Sequence, residues 1–168
     1  MREVRIEKIV LSCGGTAEKL EKSLRLLKAL TGRKPSTIQS KRRIPNFGVR
    51  PGLEVGCKLT LRGKAGEEML KRLLQAENNE VREKSVKENH FSFGIREYIE
   101  IPGVEYQRDI GLLGLNVTVD FARTGRRVEF RKIKRSKMNK KQYVTREEIK
   151  DYMVKHFGTK FLEVKAKQ

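Results

Sequence analysis

Lys41 to Gly63 reads KRRIPNFGVRPGLEVGCKLTLRG, and its two halves follow different rules. Val55, Cys57, Leu59 and Leu61 alternate with Gly56, Lys58, Thr60 and Arg62, the period of a strand with one buried face. The half before it, Pro45-Asn-Phe-Gly-Val-Arg-Pro-Gly52, holds two prolines and two glycines in eight residues and must be a loop or hairpin tip. Ser36 to Ile44, rich in β-branched and polar residues, predicts an exposed strand that ends at Pro45.

Working outward, Val4, Ile6 and Ile9-Val10-Leu11 predict a first strand, broken by Cys13-Gly14-Gly15. Thr16 is the expected N-cap of a helix in which Leu20, Leu24 and Leu27, with Leu26 and Leu30, repeat at helical spacing until Thr31-Gly32 stops it. Ala65, Met69, Leu70, Leu73 and Leu74 mark a second helix that fades into the polar run Glu77 to Asn89. Ile95 to Ile101 predicts a further strand. Leu115, Val117, Val119 and Phe121 alternate with Asn116, Thr118 and Asp120 in the cleanest strand of the chain, with one wet face. Thr145-Arg-Glu-Glu148 is a capping box; Ile149, Tyr152, Met153, His156 and Phe157 then line the inner face of a terminal helix closed by Gly158.

Alternating strands with one-sided helices predict an α+β fold: a mainly antiparallel sheet, helices packed on one side, basic loops at the edge. At 168 residues the expectation is a single domain over 1–168. Its parts are a core at 1–121 with a loop at 41–54, a basic arm at 122–144, a terminal helix at 145–158 and a tail at 159–168.

Charge is the strongest functional signal. Lys and Arg number 39 against 21 acids, a formal net charge of +18. Arg33 to Arg50 contributes +6 without an acid, and Arg126 to Lys141 contributes +8 against the single acid Glu129, so 34 residues carry +14. A lone charge run is as often a solvated face as a binding site. Two acid-poor runs beside predicted strands favour a polyanion, because phosphates relieve the self-repulsion while releasing counterions.

Other classes recede. No apolar run is long enough to span a membrane, and Met1 to Arg5 does not read as a signal peptide. Cys13 and Cys57 have neither CxxC spacing nor a nearby histidine, and read as buried thiols. Gly14-Gly15 could cradle a phosphate, but with no GxxxxGK[ST] a tight turn is the better reading. His90 and His156 lack metal-ligand spacing. Phe91 and Phe93 could stack bases, although buried strand aromatics are commoner. Neither a catalytic residue, a metal site nor a cofactor is expected.

Five stretches, in order, resemble the universal large-subunit ribosomal protein number five in its archaeal and eukaryotic form: Met1 to Leu11, Thr31 to Pro35 (TGRKP), Lys41 to Gly63, Phe91 to Ile95 (FSFGI) and Gly111 to Val119 (GLLGLNVTV). The resemblance covers most of 1–121 and rests chiefly on Lys41 to Gly63. It implies a structural, non-enzymatic protein of the large subunit that binds 5S ribosomal RNA at the central protuberance beside a neighbouring 5S-binding protein. It also implies contacts to peptidyl-site transfer RNA and to a protein of the small-subunit head.

By the resemblance, Ser12, Arg33, Phe47 and Thr60 fall at 5S RNA contacts, with Ser12 and Arg33 standing where bacterial members usually carry Asn and Gln. The loop facing tRNA or rRNA would use Lys41, Arg42, Arg43, Asn46, Gly48 and Arg50. The arm would offer ribosomal RNA Arg126, Arg127, Arg131, Lys132, Lys134, Arg135, Lys137, Lys140 and Lys141. The expected location is the cytoplasmic ribosome, with passage through the nucleolus in a eukaryote. An RNA chaperone or assembly factor, and a basic RNA-modifying enzyme, are the alternatives.

Overall fold

A computed structural model describes residues 3–162. Met1 and Arg2 of the first resembling stretch, and 163–168 of the expected tail, lie outside the described residues. In chain order the elements are β1 (Val4–Gly14), α1 (Glu18–Thr31), β2 (Ser36–Gln39), β3 (Glu54–Leu61), α2 (Lys64–Ala76), β4 (Glu80–Arg82), β5 (Val86–Lys87), β6 (His90–Ile95), β7 (Leu115–Arg123), α3 (Arg127–Phe130), α4 (Arg146–Phe157) and β8 (Lys160–Leu162). Tight 3-10 turns occur at Pro45–Phe47, Glu83–Ser85, Tyr98–Glu100 and Lys140–Gln142.

The main sheet has the order β2-β3-β1-β7-β6-β5 and is mainly antiparallel, as the alternations predict; β4 and β8 form a separate parallel pair. The described residues cluster in two compact units, one from 3–9, 61–93 and 118–162, the other from 10–60 and 94–117.

In the first unit, Leu70, Leu73 and Leu74 of α2, Phe91, Phe121, and Ile149 and Met153 of α4 are fully buried. Gly66 lets α2 come close: a Cβ there would lie 3.4 Å from the Ile9 side chain and 3.5 Å from the Leu61 backbone. Phe91 stacks on Phe93 and on Phe121, each with centroids 5.9 Å apart, and Phe121 meets Tyr152 edge-on at 5.6 Å. Burial is therefore the role of Phe91. The capping box of Thr145 and Glu148 is formed, and Gly158 ends α4 in the left-handed region, as the sequence predicts.

In the second unit, Leu20, Leu26, Leu27 and Leu30 of α1 are buried, as are Leu11 and Cys13 of β1 and Cys57 and Leu59 of β3. Both thiols are free. Burial, then the facing Cys57, pushes the Cys13 thiol up to about 12, and burial raises Cys57 as well.

Several local expectations need correction. Cys13 and Gly14 do not break β1, which continues through them, and the Gly15 N–H donates to the Val55 carbonyl at 3.0 Å. Thr16 is not the N-cap of α1; that position is Ala17, with φ 47° and no side-chain cap. The second strand stops at Gln39, because the Ser40 hydroxyl turns to the Arg42 carbonyl at 2.7 Å and bends the chain. Of the stretch Ile95 to Ile101 only Ile95 is in a strand, as the end of β6: Ile95, Tyr98 and Ile101 are all buried at a spacing of three, around the Tyr98–Glu100 turn. Within the expected tail, Lys160–Leu162 pairs with β4.

Candidate nucleic-acid interface

Strand alternation gives the second unit a face that its own core does not use. Opposite buried Leu11, Cys13, Cys57 and Leu59 stand half-buried Val10, Ser12 and Thr60 and exposed Lys58. Ser36 pairs with Lys58 and places its hydroxyl on the Lys58 carbonyl at 3.2 Å. On β7, exposed Asn116 alternates with buried Leu115 and Val117. These positions offer the hydroxyls of Ser12, Ser36 and Thr60, the amide of Asn116 and the Lys58 cation, the chemistry that reads ribose and phosphate rather than base sequence. Two of the four expected 5S contacts, Ser12 and Thr60, lie on this face. Arg33 is exposed just past α1.

The fourth, Phe47, sits on the loop between β2 and β3. That loop is built in two tiers. Ser40 N–H donates to Leu53 O at 2.8 Å and Gly52 N–H to Ser40 O at 2.9 Å; beyond them Ile44 and Val49 exchange bonds of 2.9 and 3.1 Å. Pro45 starts the 3-10 turn, and Gly48, at φ 63°, closes it with its N–H on Pro45 O at 2.9 Å. The result holds Phe47 outward, 78% exposed, while Val49 is buried. Lys41, Arg42, Arg43, Asn46 and Arg50 are exposed around it. An aromatic ring projected among cations is suited to stacking on a base or ribose beside phosphates.

The basic arm belongs to the first unit. Arg126 differs from its neighbours: its Nη1 donates to Glu7 at 2.8 Å, to Asp120 at 3.0 Å and to the Phe121 carbonyl at 3.3 Å, and its guanidinium lies 5.4 Å from the Phe130 ring centroid. Burial opposes its charge, but the Asp120 bond and the carboxylates of Asp120, Glu7 and Glu129 outweigh it and raise its pKa. Asp120, beside Lys8 at 3.3 Å, is buried where the alternation predicts a wet position, because Arg126 lies over it. Arg127, Arg131, Lys132, Lys134, Arg135, Lys137, Lys140 and Lys141 are exposed.

Sequence reasoning missed Asn89. It lies in the turn between β5 and β6 with φ 63°, in the left-handed region that Asn78 and Asn79 also occupy. Its side-chain oxygen accepts from Val144 N–H at 2.8 Å, and its carbonyl from Phe121 N–H at 2.7 Å. An asparagine at a hairpin turn was the available signal. Also missed was 97–109, which holds four acids and one Arg in a chain of +18 and exposes Ile99 and Tyr106.

Among the described residues no group of His, Cys, Asp and Glu could hold a metal ion, and no helix is long and apolar enough to cross a membrane. Fold and surface together define a basic α+β protein with a polar sheet face and cationic projections, the class that assembles with folded RNA. Family models place it further: residues 1–50 match ribosomal protein L5, and residues 54–161 match the C-terminus of the same ribosomal family. The large ribosomal subunit protein uL5 of Nanoarchaeum equitans is 42% identical over 165 residues, 96% of this chain and 98% of the relative. Those of Pyrobaculum aerophilum (42%, covering 94% and 90%) and Nitrosopumilus maritimus (38%, covering 94% and 93%) are similar over nearly the same span. The chain belongs to the L5 family of large-ribosomal-subunit proteins, whose members are structural and non-enzymatic constituents of the ribosome.

Proposed function

We propose that this protein anchors 5S ribosomal RNA on the polar sheet face of its second unit, with Ser12 and Thr60 on the sheet, Arg33 at its margin and Phe47 stacking from the loop. The observation that carries the reading is the alternation of β1 and β3, which leaves Ser12, Lys58 and Thr60 together opposite a fully apolar face. The loop tip, with Lys41, Arg42, Arg43, Asn46, Gly48 and Arg50, reaches peptidyl-site tRNA. The arm cations take large-subunit rRNA. The neighbouring 5S-binding protein completes the central protuberance.

The acidic, partly apolar segment 97–109 suits a different partner. Phosphates would be repelled there, whereas a basic protein surface fits, so this segment is assigned to the small-subunit head protein. Binding of the purified protein to 5S RNA in a salt series tests the main reading. Affinity well above that for random RNA of equal length supports it, and equal affinity refutes it.

A further inference from the structure

Both ends of the basic arm trace back to Phe121, the first directly and the second through Asn89. The Phe121 carbonyl accepts from Arg126 at the arm's start; the Phe121 N–H is taken by the carbonyl of Asn89, whose side chain holds Val144 N–H at the arm's end. Asn89 N–H also donates to Val144 O at 3.1 Å. Phe121 is fully buried on β7 between the rings of Phe91 and Tyr152, so the shared foothold lies in the packed core. Val144 is fully buried, and the capping box of α4 begins at the next residue.

Between the feet, the arm is folded rather than extended. Arg131 N–H donates to Arg127 O at 2.8 Å, Ser136 N–H to Val128 O at 3.3 Å, and Arg131 Nε to Lys134 O at 2.6 Å, with Lys134 itself at φ 52°. Asn139 caps the Lys140–Gln142 turn through Lys141 N–H at 3.1 Å. Seven cations and no acid stand from Arg131 to Lys141. A free segment with that charge would repel itself and extend, and ordering it on RNA would cost affinity.

We propose that Arg126 and Asn89 are positioning residues that preorganise the arm as a cationic arch for ribosomal RNA, and that neither needs to touch the RNA. The proposal rests on the reading of the arm as an rRNA contact. It separates two quantities: arch cations set how many phosphates are neutralised, and thus the salt slope, whereas the fastenings set how much order is lost on binding, and thus affinity at fixed slope.

The experiment measures binding of the full chain to refolded large-subunit rRNA across a salt series, with hydrogen exchange at the Val144 amide. Asn89→Gly keeps the left-handed turn and removes the side-chain acceptor; Arg126→Gln removes the ion pairs. Each is expected to weaken binding roughly three- to tenfold with the slope unchanged. Asn89→Gly is expected to speed exchange at Val144, and Asn89→Asp, which keeps the acceptor, to restore both readouts. Wild-type affinity in Asn89→Gly with a fast-exchanging Val144, or a reduced slope in Arg126→Gln, overturns the positioning role. The triple variant Lys134→Ala/Arg135→Ala/Lys137→Ala should lower the slope by about 2–3; an unchanged slope there refutes the arm reading itself, whatever the fastening variants do.

Discussion

Gly56 runs directly beneath Cys13: a Cβ at position 56 would lie 2.8 Å from the Cys13 carbonyl oxygen, closer than van der Waals contact allows. The approach brings β3 against β1 where Gly15 N–H reaches Val55 O. Gly56→Ala therefore forces backbone apart rather than a flexible side chain. It is expected to destabilise by about 1–3 kcal/mol, read as a lower urea midpoint at constant m-value. Unchanged stability would show that the strands separate freely at this point.

Cys13 and Cys57 face one another in the same core, each with a raised pKa. A thiol held near 12 has almost no thiolate at neutral pH. Both are expected to stay unmodified by an aromatic disulfide reagent in the native protein at about pH 7.5 and to react together in denaturant. Rapid native labelling of either would contradict their packing.

Glu148 sits at the start of α4, where burial raises its pKa but Thr145 N–H and the Arg123 guanidinium more than offset this and lower it. A depressed carboxylate stabilises the fold fully above its unfolded pKa and loses that contribution as pH falls through the folded value. Wild type should therefore unfold at a higher temperature than Glu148→Gln at about pH 6, with the gap closing as the pH is taken down through the carboxylate range. Thr145→Ala, which deletes the cap itself, should cost about 1 kcal/mol at about pH 6.

Arg42 and Arg43 are exposed on the loop and make no ion pair among the described residues. Reversing both to Glu should leave the unfolding transition within about 0.5 kcal/mol of wild type. Association of the variant-containing large subunit with tRNA in the peptidyl site should weaken. A variant that unfolds would place the loop in the fold's support rather than at a partner.

What is legible in the sequence follows periodicity and local chemistry. The alternations at 55–61 and 115–121, the leucine faces of α1 and α2 and the Thr145 capping box each encode their structure in neighbouring residues. The departures arise where individual side-chain bonds and packing decide. Ser40 ends β2 through a side-chain bond, and Tyr98 packs inward in a 3-10 turn where the sequence predicts a strand, its hydroxyl accepting from Gln107 N–H at 2.9 Å. Short β4, β5 and β8 offer only Val81 and Val86 as buried apolar signals within a polar run. Charge locates the arm, but the run alone does not separate Arg126, whose partners Glu7 and Asp120 come from β1 and β7, from the outward cations beside it.

The most direct test of the central claim places charge on the polar sheet face. Ser12→Glu/Thr60→Glu puts two carboxylates where the RNA backbone is proposed to lie, at half-buried positions outside the core. With an unchanged circular-dichroism spectrum, the double variant should bind 5S RNA on the order of a hundredfold more weakly than wild type. Wild-type affinity in that folded variant would contradict the account.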